Sequence, residues 1–121
     1  MKTQIIGAMM FALTLFAALA ISGTAQAAGK QLKQVEHQYV CMVNDTAFNT
    51  PQIRVDVGDK TYYGCCQMCQ ARLTKDEAIR TATDPISGKS VDKAEAVIGM
   101  APETGRVVYF ESAENLKKYS Y

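Results

Sequence analysis
Ile53, Val55 and Val57 alternate with Gln52, Arg54 and Asp56, the period-two pattern of a strand with one buried face. Gly58-Asp59 follows, and glycine readily takes a positive φ at the first central position of a tight turn, so a return strand is predicted over 61–64. A short helix is predicted over 66–73, and Thr74 with Glu77 has the spacing of a capping box that adds another turn or two, ending near Ala82. The second half has the same grammar. Asp84-Pro85-Ile86-Ser87-Gly88 is a turn, 94–100 a strand, 101–105 a longer loop and 106–110 a second strand, after which Ser112 caps a helix reaching about Tyr119. Two hairpin-plus-helix units that pack their apolar faces together make one small α+β domain. Residues 28–38 carry no firm pattern, and 30–37 is read as a short helix or a flexible lead.

Ahead of these elements, Lys2 precedes an uncharged, largely apolar run over 5–21 and then Ala25-Gln26-Ala27, the layout of a cleavable secretory signal peptide spanning residues 1–27. The run is also near the lower limit for crossing a bilayer, but the small residues at Ala25 and Ala27 favour cleavage. The expected location is therefore periplasmic or secreted, with no stable membrane insertion after cleavage. Removal of 1–27 takes away one lysine and no acid, leaving 94 residues with twelve basic and twelve acidic side chains. A neutral chain without a basic run gives no electrostatic reason to expect nucleic acid or anionic lipid as a partner. A core built from so few residues is thin enough for a metal or a disulfide to matter to stability.

A shift of forty-six residues maps the first half, 28–83, onto the second, 84–121. Tyr63 then falls on Tyr109, Cys66 on Ser112 and Val40 on Ile86, while Cys41, Cys65 and Cys69 fall on Ser87, Glu111 and Asn115. The second half keeps the frame and lacks the thiols.

All four cysteines lie in the first half, three of them in Tyr62-Tyr63-Gly64-Cys65-Cys66-Gln67-Met68-Cys69. With the predicted elements, Cys65 and Cys66 end a strand, Cys69 opens a helix and Cys41 precedes the hairpin, a treble-clef-like layout for a soft metal ion. A helix N-terminus offers unpaired N–H groups and a positive dipole end, so the thiols there are expected to be largely ionised. These residues resemble the TRASH and YHS group of small heavy-metal-binding domains, whose pattern is one cysteine, a spacer, an aromatic pair and two cysteines separated by three residues. Cys41, Tyr62, Tyr63, Cys65 and Cys69 match it, with a spacer of twenty-three residues between Cys41 and Cys65 that is slightly longer than is usual in the family. The second half is similar to a YHS unit through Asp84-Pro85-Ile86-Ser87-Gly88, Val91-Asp92 and Tyr109-Phe110-Glu111-Ser112. The resemblance implies one metal-competent unit, with Cys41, Cys65 and Cys69 as ligands, and one degenerate structural partner. Cys66 stands where the family often has serine and is left open as a fourth ligand, a disulfide partner of Cys41 or a bystander.

Cu(I) is the first choice of ion, Zn(II) the second, and mercury or another heavy metal follows; carrying, buffering or sensing it, with a metal transporter or acceptor protein as partner, is the expected role. Two other readings compete. An exported domain with an even number of cysteines is often a disulfide scaffold, and a bridge closing the loop from Cys41 would contribute about 2 to 4 kcal/mol. Cys66-Gln67-Met68-Cys69 also has the C-x-x-C spacing of a thiol oxidoreductase, although the preceding antiparallel hairpin is not the βαβ unit such a domain uses. His37 and Met68 are weaker ligand candidates, and Glu111 with Asn115 would suit a harder ion. No nucleophile triad, phosphate loop or spaced carboxylate pair is recognisable, so no enzymatic activity is expected.

Overall fold
The computed structural model describes residues 29–121, so the signal-peptide expectation for 1–27 lies outside the described residues. The protein is a small α+β domain of short antiparallel sheets and two helices. Its strands are β1 (Lys33–Val35), β2 (Val40–Cys41), β3 (Thr46–Ala47), β4 (Ile53–Val57) and β5 (Lys60–Gly64), followed by helix α1 (Gln67–Lys75). Then come β6 (Thr81–Thr83), β7 (Ser90–Asp92), β8 (Val97–Met100), β9 (Val107–Phe110) and helix α2 (Ala113–Lys118). Four antiparallel pairings, β2 with β3, β4 with β5, β6 with β7 and β8 with β9, set the frame, and β1 adds to β8 to make a three-stranded sheet. Among the described residues no helix is long and apolar enough to cross a membrane.

The first hairpin follows its sequence pattern. Val57 pairs with Lys60 across a two-residue turn in which Gly58 has φ 63°, a conformation that glycine adopts without Cβ strain. Val55 and Tyr62 face each other on the buried side. Helix α1 starts one residue later than predicted, because Cys66 is extended and serves as its N-cap.

Three expectations are corrected. Residues 30–37 are neither a short α-helix nor a loose lead: Lys33–Val35 pairs with Ile98–Met100, an edge strand too short for periodicity to mark, and only His37 enters a 3-10 turn. Thr74 and Glu77 form no capping box. The Thr74 hydroxyl donates to the Gln70 carbonyl one turn back, and Asp76 caps the following 3-10 turn by accepting from the Ala78 N–H. The strand predicted over 94–100 begins only at Val97, because Asp92 accepts the Ala94 N–H and its carbonyl receives Ala96, turning the chain there.

Val40, Met42, Val55, Tyr62 and Leu73 from the first unit pack with Ile98, Val107 and Tyr109 from the second in one core. Tyr62, Tyr109 and Phe110 are buried, whereas Tyr63 is only half-buried. Two polar clusters cross the interface in reciprocal fashion. Tyr62 Oη and Lys60 Nζ of the first unit donate to the Asp92 carboxylate of the second at 2.9 and 2.8 Å. Tyr109 Oη and Lys93 Nζ of the second donate to Asp45 Oδ1 of the first, both at 2.8 Å. Each unit thus supplies a tyrosine and a lysine, and the other supplies the carboxylate. Burial and the adjacent Asp45 carboxylate hold the Tyr109 phenol well above its ordinary range, so it stays a donor.

Candidate metal centre
The thiols are brought together from three places in the chain. Cys41 ends β2 and is fully buried; its hairpin pairs it with Thr46. The turn after it is tied to the end of β5 by the Met42 N–H, which donates to the Tyr63 carbonyl at 2.9 Å. Lys93 Nζ reaches in from the second unit and donates to the Met42 carbonyl at 2.7 Å. The residue next to Cys41 is therefore held on both sides.

Cys65 follows β5 directly and is exposed, whereas Cys69, in the first turn of α1, is buried. Gly64 lets the helix come this close, because a Cβ at that position would stand 2.9 Å from Cys69 Cβ. The sulfurs of Cys41, Cys65 and Cys69 all lie within 4.8 Å of one another, with Cys65 to Cys69 at 3.7 Å and Cys41 to Cys69 at 3.9 Å. Thiolates bound to one ion at about 2.3 Å in tetrahedral directions sit about 3.8 Å apart, so the observed spacing fits a shared soft ion. The three cysteines form a group that could hold a metal. Asn44 Nδ2 lies 3.5 Å from Cys65 Sγ, an outer hydrogen bond of the kind that orients a thiolate ligand.

Cys66 takes a different place. Its Sγ accepts the Cys69 N–H at 3.5 Å as the helix cap and lies 3.4 Å from Cys69 Sγ. At the matching position of α2, Ser112 Oγ accepts the Asn115 N–H at 3.1 Å, the same local hydrogen bond made by oxygen.

The expectation that the helix terminus ionises the thiols beside it fails at the proposed ligands Cys65 and Cys69, both of which are raised, and agrees in direction only at Cys66. Donation from the Cys69 N–H lowers the Cys66 thiol pKa. Burial opposes ionisation of Cys41, but hydrogen bonds from the backbone around Asn44, Val43 and Cys65 outweigh it and bring that thiol below its ordinary value. Burial, together with Cys66 and Cys65, pushes Cys69 up to about 12, and the neighbouring Cys41 raises Cys65. The positive helix end does not prevail at Cys69 because the thiol is buried among other sulfurs.

Neither His37 nor Glu111 belongs to the close thiol group. His37 opens a 3-10 turn and lines a cleft with Gln34, Tyr63, Glu95 and Ile98. Met68 is 74% exposed, so it is not the core residue that a methionine on a short helix usually is. Glu111 accepts from Ser87 Oγ at 2.8 Å, so the counterparts of Cys65 and Cys41 are in direct contact. Asn115, the counterpart of Cys69, donates to Asp84 Oδ2 at 2.9 Å. Asp84, which the sequence marked as a turn residue and as part of the YHS-like motif, is fully buried and also accepts the N–H groups of Ile86, Ser87 and Glu111. Its carboxylate joins turn, strand end and helix, the three pieces that the thiols join in the first unit. With its donors satisfied from within, this cluster has the form of a hydrogen-bonded cross-link.

No family model, curated protein or solved structure matches the chain.

Proposed function
We propose that this protein is an exported soft-metal-binding protein of the TRASH/YHS type, holding Cu(I), or next in preference Zn(II), through Cys41, Cys65 and Cys69. The observation that carries the reading is the convergence of three sulfurs, from a strand end, a strand–helix junction and a helix first turn, within 4.8 Å of one another. Thiolates select soft ions, and sulfur spacing near that of a common coordination sphere reduces the reorganisation that binding requires. Two buried thiols and one exposed thiol make a site with a closed floor and an open side. An incoming ligand from an acceptor can approach on the Cys65 side, so the role is carriage or buffering of the ion, with transfer to a transporter or acceptor protein, rather than catalysis. Location outside the cytoplasm is part of the same proposal and draws on the apolar run over 5–21 and Ala25-Gln26-Ala27.

The test is competition with a chromophoric chelator. Cys69→Ser removes a buried member of the set and is expected to abolish most of the affinity, whereas Cys66→Ser keeps all three proposed ligands and is expected to change it little. Equal losses from the two substitutions contradict the assignment. The disulfide alternative predicts instead that protein taken directly from its compartment has no alkylatable thiol.

A further inference from the structure
We infer that Cys66 and Cys69 form a redox pair whose oxidation to a disulfide withdraws Cys69 from the metal set, so that metal binding is gated by thiol oxidation. The inference rests on the metal reading above and adds a regulator of the same site.

Four observations support it. The Cys66 and Cys69 sulfurs are 3.4 Å apart, closer than Cys65 to Cys69 at 3.7 Å or Cys41 to Cys69 at 3.9 Å. Cys66 is exposed and Cys69 is buried behind it, so an external disulfide meets Cys66 first. Cysteine is not needed at position 66 for capping: Ser112 makes the equivalent bond at 3.1 Å where Cys66 makes it at 3.5 Å, and oxygen is the better acceptor. The thiol at 66 is thus surplus both to the helix and to the three-sulfur group. Cys69 belongs to both sets, so the two states exclude each other.

The chemistry is thiol–disulfide exchange with a small-molecule or protein disulfide as oxidant. The Cys66 thiolate attacks one sulfur of the external disulfide; that S–S bond breaks, and one thiolate leaves and takes up a proton. The Cys69 thiol then gives its proton to the departing external sulfur as it attacks Cys66 Sγ; the mixed S–S bond breaks, and the second external thiol is released. Two protein thiols are oxidised to one disulfide, and one external disulfide is reduced to two thiols. Cys41 and Cys65 remain as thiols, one ligand short of the original set. By linkage, an ion bound at Cys69 opposes the oxidation to the same degree that oxidation opposes the ion.

The experiment equilibrates the protein in reduced and oxidised glutathione buffers, maps disulfides by alkylation and peptide mass, and measures Zn(II) affinity in each state by chelator competition. The expected map is a Cys66–Cys69 bridge with Cys41 and Cys65 alkylated. Loss of one of the thiolates that share the binding free energy is expected to weaken Zn(II) by about 100-fold. Saturation with Zn(II) beforehand should leave the Cys66–Cys69 bridge unformed in the same buffers. Cys66→Ser should bind Zn(II) like wild type when reduced and keep that affinity in the oxidising buffer. A bridge that maps to Cys41 or Cys65, an oxidised protein with undiminished affinity, or a Cys66→Ser variant that loses affinity on oxidation as wild type does would each overturn the gate. Reduced protein that does not bind Zn(II) or Cu(I) overturns the metal reading itself, a result separate from the redox arms.

Discussion

Replacing Asp84 tests whether a carboxylate in the second unit does the cross-linking that a metal is proposed to do in the first. Asp84 is fully buried and accepts four hydrogen bonds, from Ile86 N–H at 2.7 Å, Ser87 N–H at 3.2 Å, Glu111 N–H at 2.8 Å and Asn115 Nδ2 at 2.9 Å. Burial disfavours the charge, but Asn115 and the three backbone donors outweigh it and hold the carboxyl at about 2, against an ordinary 3.8. Hydrogen bonds to a charged group contribute about 1.5 to 3 kcal/mol each. Ile86, Ser87 and Glu111 lie at the surface, where water can replace part of what is lost, so Asp84→Ala is expected to cost about 3 to 4 kcal/mol in all. Asp84→Asn keeps the shape but turns an NH₂ group toward donors, and is expected to cost about 2 kcal/mol. Because the folded pKa is depressed, the ionised form contributes stability in full above the unfolded value near 3.8 and loses it as pH falls toward about 2. That loss amounts to about 2 kcal/mol for this group. Urea unfolding followed by circular dichroism at pH 7 and across the acid range gives both quantities. The reasoning is refuted if Asp84→Asn unfolds within about 0.5 kcal/mol of wild type, or if its acid destabilisation matches that of wild type.

Two further substitutions test how the thiol site is held. Gly64→Ala places a Cβ 2.9 Å from Cys69 Cβ and 3.4 Å from the Gln70 backbone nitrogen, so the start of α1 must move. A cost of about 1 to 3 kcal/mol is expected from such overpacking, together with weaker metal binding; unchanged chelator competition would show that the close approach does not position Cys69. Lys93→Met removes a buried ammonium that joins the Met42 carbonyl to Asp45 Oδ1, leaving Asp45 partly accessible to water. Denaturant unfolding is expected to show a loss of about 2 to 3 kcal/mol, at or below the low end for breaking a buried pair, and a neutral result would remove Lys93 from the account of how the Cys41 turn is fixed.

How much of this was legible in the sequence depended on whether the signal was local. The β4–β5 hairpin could be read because Ile53, Val55 and Val57 alternate and Gly58 supplies the turn, and Ser112 announced α2 through a cap that needs only its own neighbours. Strand β1 could not, since three residues on a sheet edge show no period and Lys33–Val35 is fixed by pairing with β8. The α1 continuation was misread because Thr74 and Asp76 both offer cap-type oxygens, and only the folded chain shows that Thr74 bonds back to Gln70. At the thiol site, residue types and spacing marked the four cysteines, the resemblance to the TRASH/YHS pattern singled out Cys41, Cys65 and Cys69, and the fold brings those three sulfurs together. The groups that hold the site come from afar: Lys93 lies fifty-one residues from Met42 and Tyr109 sixty-four from Asp45, beyond any local pattern. Asp84 had a visible signal in its Asp-Pro turn, but nothing in that dipeptide announces a carboxylate that also binds Glu111 and Asn115. Proton affinities were illegible for a similar reason, because Cys69 differs from Cys66 through burial among other thiols, which sequence position does not encode.

The central claim is that Cys41, Cys65 and Cys69 hold one soft ion, and native mass spectrometry of anaerobically purified protein tests it most directly. Native spectra are recorded beside denatured spectra with and without thiol alkylation. The account predicts one copper or zinc ion per chain, lost on denaturation, with at least three cysteines then open to alkylation. A metal-free protein whose cysteines are paired and resist alkylation would contradict it and leave the thiols as structural staples.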